Sequence, residues 1–236
     1  APKLSYILRT VDTTTMVPLI QDFDRDSRDA LGRILGAAVG DRTWEQAKLP
    51  VSFGGMGIRG AEDHAPVAYA ASVLAAQPLL QGLLGGDPLP SDEDPPLVLA
   101  PHLLTAISTT NGEEAREEEM VGLPQKVLSL QVDMERRRRL MEGLGEEEVQ
   151  EKARLMSLGL PQAGSWLTVA PILALGLHMR PQEFVLAARL RLGMAVYGEA
   201  GPCPACRQHS DVLGVHAMKC GSGGERIGRH NILRNP

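Results

Sequence analysis

Apolar residues recur at helical rather than strand spacing along most of this chain. Thr13-Thr14-Thr15 offers N-cap hydroxyls, and Pro18 suits a first helical turn. Ile20, Phe23, Ser27, Leu31, Ile34, Leu35 and Ala38 then share one face, with Asp22, Asp24, Arg25, Asp26, Arg28 and Asp29 on the other. This predicts an amphipathic helix ending near Gly40. Carboxylates interleaved with arginines on one helix face mark a solvated surface rather than a catalytic cluster. The run Ala61-Glu62-Asp63-His64-Ala65-Pro66 is expected to lead into an Ala-rich helix through Ala76, where small side chains let a neighbouring helix approach closely. His64, near its start, reads as a cap or core histidine rather than a base. A third helix opens at Leu123-Pro124 and carries Val127, Leu130, Met134, Met141 and Leu144. Two more are expected, from about Glu146 to Leu158 and from Pro181 to Val196. The last has proline in its first turn and Phe184, Ala188 and Leu192 on one face.

Composition supports the helical reading. Aromatic residues make up only 3% of the 236 positions, so a core must be built from Leu, Val, Ala and Met. The expected fold class is therefore all-α. A net charge of -5 argues against a chain that coats nucleic acid over its whole surface, so any such contact must be local. Two uncharged runs, 65–86 and 155–179, are long enough to raise the question of a membrane span. Gln77, Pro78 and Gln81 interrupt the first, and Pro161, Gly164 and Pro171 break the second. Buried helical hairpins are the expectation for both, with no membrane partner. The chain opens Ala1-Pro2-Lys3 without an initiator methionine or a basic-then-apolar leader, and reads as a piece of something longer.

Several stretches invite chemistry. Gly54, Gly55 and Gly57 suggest a phosphate loop, but the G-x-x-x-x-G-K-[ST] pattern is absent and no strand precedes them, so an irregular loop beside a helical core is expected. The Pro/acid run 87–96 is the best boundary between domains, and 113–119 adds a second acidic run. Arg136-Arg137-Arg138-Arg139 winds around more than one helical turn, so only some of the four can face one strand of nucleic acid. Phosphate contact by Arg137 and Arg138 is one reading; pairing with Glu135, Glu142 and Glu146-Glu147-Glu148 is the other. No nucleophile–base pair stands at a recognisable spacing, so neither a catalytic residue nor a small-molecule substrate is assigned.

The sharpest signal lies near the carboxyl end and uses every cysteine. Cys203, Cys206, His216 and Cys220 form a C-x2-C-x9-H-x3-C pattern. The first pair sits on a Pro/Gly-flanked turn that can aim two sulfurs at one point. The second pair has i, i+4 spacing, which puts both ligands on one side of a helical turn. Three thiolates and an imidazole suit tetrahedral zinc (Zn2+), and metal-spaced cysteines suggest a reducing compartment. His209 and Asp211 could also reach a metal but have no partner at a useful spacing, which leaves His216 as the better ligand. From Cys206 onward, only Asp211 and Glu225 are acidic, against Arg207, Lys219, Arg226, Arg229 and Arg234. A small basic zinc module of this kind is a candidate phosphate-contacting surface, or a zinc-stapled cap with a solvated face.

Taken together, several runs resemble the region after the polymerase palm in reverse transcriptases of LINE-type (non-LTR) retrotransposons. Lys3-Leu4-Ser5-Tyr6-Ile7-Leu8-Arg9-Thr10 is similar to the end of the palm. Trp44, Gln46-Ala47, Leu49-Pro50, Gly54-Gly55-Met56-Gly57-Ile58-Arg59, His64-Ala65, Ala68-Tyr69 and Ser72 resemble the segment just after it. Trp166-Leu167, Pro171, Gly176-Leu177, Glu183-Phe184 and Arg189-Leu190-Arg191-Leu192-Gly193 resemble the helical linker before the family's zinc knuckle. The four candidate ligands match that knuckle one for one. Arg229-His230-Asn231, with Leu233-Arg234, looks like the start of the endonuclease that follows. The resemblance covers most of the chain and is thin between about residues 85 and 160.

It implies a thumb-like helical region at 1–86, a variable loop at 87–122, a helical linker at 123–200, and a knuckle with the start of a missing endonuclease at 201–236. The polymerase's aromatic-x-Asp-Asp turn appears nowhere and the endonuclease half is missing, so neither polymerase nor nuclease activity is expected of this chain. The implied function is non-catalytic binding of RNA or target DNA, through Lys219, Arg226, Arg229, Arg234, Arg137 and Arg138, in an intracellular and nuclear setting. A repurposed copy, whose zinc module only staples helices and contacts other proteins, is the alternative.

Overall fold

Leucine and alanine at helical spacing produce a mostly helical chain. The computed structural model describes residues 2–83 and 125–222. They fall into two compact units, 1–164 and 165–236, so a unit boundary lies inside the segment expected as one helical linker. Among the described residues there are eight α-helices and a single two-stranded ribbon. The acidic loop, and the arginines at 226, 229 and 234, lie outside the described residues.

In the first unit the helices are α1 (Pro2–Thr10), α2 (Val17–Leu35), α3 (Asp41–Lys48), α4 (Ala61–Leu83), α5 (Gln125–Glu142) and α6 (Val149–Leu158). The long α4 is the centre, packing against α1, α2 and α5. Ala61, Ala65 and Ala68 meet Leu8 and Ile20 in one buried cluster, with Leu4 and Met16 beside it. The small side chains expected there do permit the close approach. The run 65–86, expected as a hairpin, instead continues as one helix to Leu83. Among the described residues, no helix is long and apolar enough to cross a membrane.

The amphipathic helix forms, but its ends and its faces differ from the expectation. It stops at Leu35 because Gly36 adopts φ 64 and its amide returns to the Arg33 carbonyl, a left-handed cap four residues before Gly40. Thr15 turns its hydroxyl back to the Asp12 carbonyl rather than capping α2. Ile20, Asp24, Leu31 and Leu35 are the buried stripe, while Phe23 and Ile34 are exposed. Asp24, expected on the solvated side, is therefore buried. Its Oδ1 accepts the Ala61 amide at 2.7 Å and its Oδ2 accepts the Glu62 amide at 3.1 Å. One carboxylate thus satisfies two of the four amides that a helix start leaves without partners.

A similar exchange of polar for apolar residues occurs in α5. Leu128, Ser129, Val132, Asp133 and Glu135 are buried, whereas Val127, Leu130 and Met134 are exposed. Charge explains the choice. Asp133, fully buried, has Arg59 at 3.2 Å and His64 Nε2 at 3.3 Å, which places His64 in the core as expected. Arg136 reaches Glu45 at 2.8 Å and Asp63 at 2.6 Å, and the buried Lys48 pairs with the same two carboxylates at 2.8 and 3.2 Å. The two cations, whose side chains are largely buried, are thus each paired with both carboxylates, of which Glu45 faces solvent.

The glycine loop is a 3-10 turn, Val51–Phe53, followed by a tight backbone crossing. Gly54 has φ 92, and its carbonyl accepts a buried hydrogen bond from Gln46 Nε2 at 2.9 Å. A Cβ on Gly55 would collide with the Leu49 carbonyl and lie 2.6 Å from that of Gln46. The glycines are there for packing.

In the second unit, 3-10 turns at Ser165–Leu167 and Leu173–Leu175 replace the hairpin expected over 155–179, and Leu173 and Leu175 are exposed. Pro171 and the left-handed Gly176 break any helical continuation. Helix α7 (Pro181–Arg191) begins with the Arg180 amide donating to Glu183 Oε2 and ends at Arg191, five residues before Val196, with Gly193 just beyond it at φ 64. Ala188 and Leu192 are buried as expected, and Phe184 meets Trp166 edge-on at 5.8 Å.

Two measurements follow. Gly55→Ala should lower the stability of the first unit by about 3 kcal/mol in chemical unfolding, because backbone on both sides cannot yield. Gly40→Ala, with nothing within 4 Å of its Cβ, should cost under about 1 kcal/mol. Glu135 supplies the second. Arg138, and then Arg139, hold its carboxyl down to about 2 from an ordinary 4.5. A depressed carboxyl stabilises the fold fully above pH 4.5 and loses that contribution as pH falls towards 2. The stability gap between wild type and Glu135→Gln should therefore be constant above about pH 5 and close progressively on acidification.

Candidate metal centre

Two local elements deliver the four sulfur and nitrogen donors. The first is a hairpin: β1 (Gly201–Pro202) pairs antiparallel with β2 (His209–Ser210), with Gly201 opposite Ser210 and Pro202 opposite His209. Between the strands the Cys203 amide donates to the Gln208 carbonyl at 2.7 Å, and the Arg207 amide donates to the Cys203 carbonyl at 2.8 Å. Arg207 closes the turn at φ 64, in the region that favours glycine. This tight loop turns the Cys203 and Cys206 sulfurs to the same side.

The second element is the single-turn helix α8 (Val215–Lys219), with Cys220 as its C-cap. The Cys220 amide donates to the His216 carbonyl at 2.7 Å, so one helical turn stacks the two ligands as their spacing predicts. Before the helix, Gly214 sits at φ 79, and a Cβ there would come within 2.8 Å of Val196 Cγ2. The Val196 and Tyr197 amides both donate to the Val212 carbonyl, at 2.8 and 3.1 Å, tying the segment after α7 to the loop that carries α8.

All four donor atoms lie within 4.8 Å of one another. Cys203 Sγ is 3.9 Å from Cys220 Sγ, and Cys206 Sγ is 3.2 Å from His216 Nε2. Metal–sulfur bonds near 2.3 Å in a tetrahedron give sulfur–sulfur edges of about 3.8 Å, so the spacing fits a single ion. Cys203 is buried, and the other three are half-buried. Amides of Cys206 and Ala205 aimed at the Cys203 sulfur lower its pKa to about 6, which favours the thiolate a metal needs. At Cys206 the Gln208 amide acts in the same direction, but burial and the neighbouring thiols outweigh it and raise the value. The cluster can hold a metal ion.

Of the other expected contact residues, Arg226, Arg229 and Arg234 lie outside the described residues. Lys219 is exposed at the end of α8, beside the cluster. Arg137 and Arg138 are in the first unit. Arg137 stacks its guanidinium 5.6 Å from the Phe53 ring centre, and Arg138 bonds Glu135 at 2.7 Å and Glu142 at 2.5 Å. Glu148, grouped in sequence with possible partners of the arginine run, pairs with Arg42 instead.

Sequence spacing gives one residue of the centre no role beyond that of a weaker ligand candidate than His216. Asp211, weighed only as a metal ligand, accepts the Val215 amide at 3.0 Å and the His216 amide at 2.8 Å. Spacing alone does not single this role out, because Asp211 lies three residues before the N-cap, Gly214, outside the usual capping position. No family model, no curated protein and no solved structure matches the chain.

Proposed function

We propose that this chain is a non-catalytic, nucleic-acid-binding segment whose carboxyl end is folded around a structural zinc ion. The observation that carries the reading is the convergence of Cys203, Cys206, His216 and Cys220. Three sulfurs and one imidazole form a closed tetrahedral set that suits zinc and leaves no position for a substrate. Such an ion acts on folding rather than on chemistry. The resemblance to the knuckle region of LINE-type reverse transcriptases supplies the partner: RNA or target DNA, gripped by Lys219 and by Arg226, Arg229 and Arg234 beyond it. Arg137 and Arg138 are the weaker part of the proposal, because Arg138 already shares its charge with two carboxylates.

A second reading has one observation in its favour. Arg136, Arg138 and Arg139 are all committed to carboxylates of their own unit, as a scaffold that contacts proteins would have them. The two readings part in solution. If phosphates are gripped, fluorescence anisotropy with single-stranded RNA and duplex DNA should show affinity falling steeply with salt. A slope of roughly -3 in log K against log salt is expected for four contacts to a single strand. Arg226→Glu with Arg229→Glu should flatten that slope by about 1.4 and leave the metal in place. Undetectable or salt-insensitive binding by the metal-loaded chain sinks the nucleic-acid reading and leaves the scaffold.

Zinc itself is tested by elemental analysis and chelation. The purified chain should carry one zinc, and its removal should collapse the amide dispersion of residues 201–222, since about 10–16 kcal/mol of binding energy is folding energy in motifs of this type. Cys220→Ser should give the same collapse at zinc concentrations that saturate the wild type.

A further inference from the structure

Helix α8 spans only five residues, Val215–Lys219, yet it must present two ligands in fixed register. A helix that short does not form on its own, because nucleation fixes several residues for one hydrogen bond. Its first amides have no partner inside the helix, and the residue at its N-cap, Gly214, has no side chain to offer. Asp211 fills this role from three residues upstream. Its Oδ1 takes the Val215 amide and its Oδ2 takes the amide of His216, which is itself a candidate ligand. Gly214 makes the reach feasible: at φ 79 it turns the chain sharply between the carboxylate and the amides, and its own amide donates to the Asp211 carbonyl at 3.3 Å.

We propose that Asp211 is a positioning residue of the metal centre, which sets metal affinity by holding the His216–Cys220 turn in its binding geometry before the ion arrives. This rests on the zinc reading above. The hairpin that carries Cys203 and Cys206 is closed by its own backbone bonds, so half of the centre is fixed without Asp211. The other half depends on the cap. Without it, the ion must order α8 itself, and part of the binding energy is spent on that ordering. Outer-shell partners of metal ligands elsewhere are worth about 10–100-fold in affinity, and a comparable effect is expected here.

The test uses the full chain as wild type, Asp211→Ala, Asp211→Asn and Cys220→Ser. Zinc affinity is read by competition with a chromophoric chelator, and the ligand set by the cobalt(II) absorption spectrum. Asp211→Ala should bind zinc about 10–100-fold more weakly while keeping the wild-type cobalt spectrum, because the four donors are unchanged. Asp211→Asn retains one acceptor oxygen of two and should fall between. In the metal-loaded state, hydrogen exchange at the Val215 and His216 amides should accelerate in the order wild type, Asn, Ala. Wild-type affinity in Asp211→Ala, or no rescue by asparagine, overturns the positioning role. A cobalt spectrum altered in Asp211→Ala as it is in Cys220→Ser also overturns it, since Asp211 would then be a ligand. Failure of the wild type to take up either ion overturns the zinc reading itself, a separate result.

Discussion

A single carboxylate accepting two consecutive amides at the start of a helix is the contact on which both units depend. In the first, Asp24 holds Ala61 and Glu62 and so fixes where α4 begins. In the second, Asp211 does the same for Val215 and His216 at the start of α8. The amides at a helix start cannot bond within the helix, and burying them without acceptors costs free energy that a marginally stable fold cannot spare. Each carboxylate removes two such deficits and places a negative charge at the favourable end of the helix. In both cases the acceptor comes from outside the helix it caps. For Asp24 it comes from another helix, α2, which couples the placement of α2 and α4.

The same logic explains why polar residues occupy the interior of the first unit. With only 3% aromatic residues, alanine lets helices come close but fills little volume. Charges then settle what alanine does not. Asp133 with Arg59 and His64, and Glu45 and Asp63 with Lys48 and Arg136, hold α3, α4 and α5 in one arrangement. Paired, these groups are tolerated; a lone partner would leave an uncompensated buried charge. This is also why the four arginines do not act as one basic patch. Arg136 is internal, Arg137 lies on Phe53, and Arg138 and Arg139 share Glu135.

The proposed function concentrates where the chain is least able to build an apolar core. Residues 201–222 hold a two-stranded ribbon and one helical turn, too little to stand alone below the usual size for independent folding. In the proposed function, a metal ion bonded to the four side chains would supply the missing cohesion. The proposed partner then meets a surface whose shape the ion fixes, with Lys219 exposed next to a ligand. On this view the binding role and the fold of the module are one property, and chelation removes both.

The mainly helical class, an irregular glycine loop beside the helices, a cap or core role for His64 and all four candidate ligands were legible in the sequence, because each follows from short-range rules. Periodicity, a proline or glycine at a given step, and i, i+4 stacking act within a few residues. The ribbon between Cys203 and Cys206's flanks, the unit boundary near residue 164 and the loss of the expected hairpins needed tertiary structure. So did the burial of Asp24, the outward turn of Val127, Leu130 and Met134, and the work of Asp211. The physical reason is common to them. Whether a carboxylate faces water or caps a helix depends on amides brought to it from elsewhere, 37 residues away for Asp24 and Ala61. Sequence spacing specifies what a residue can offer; only the folded chain determines which group accepts it.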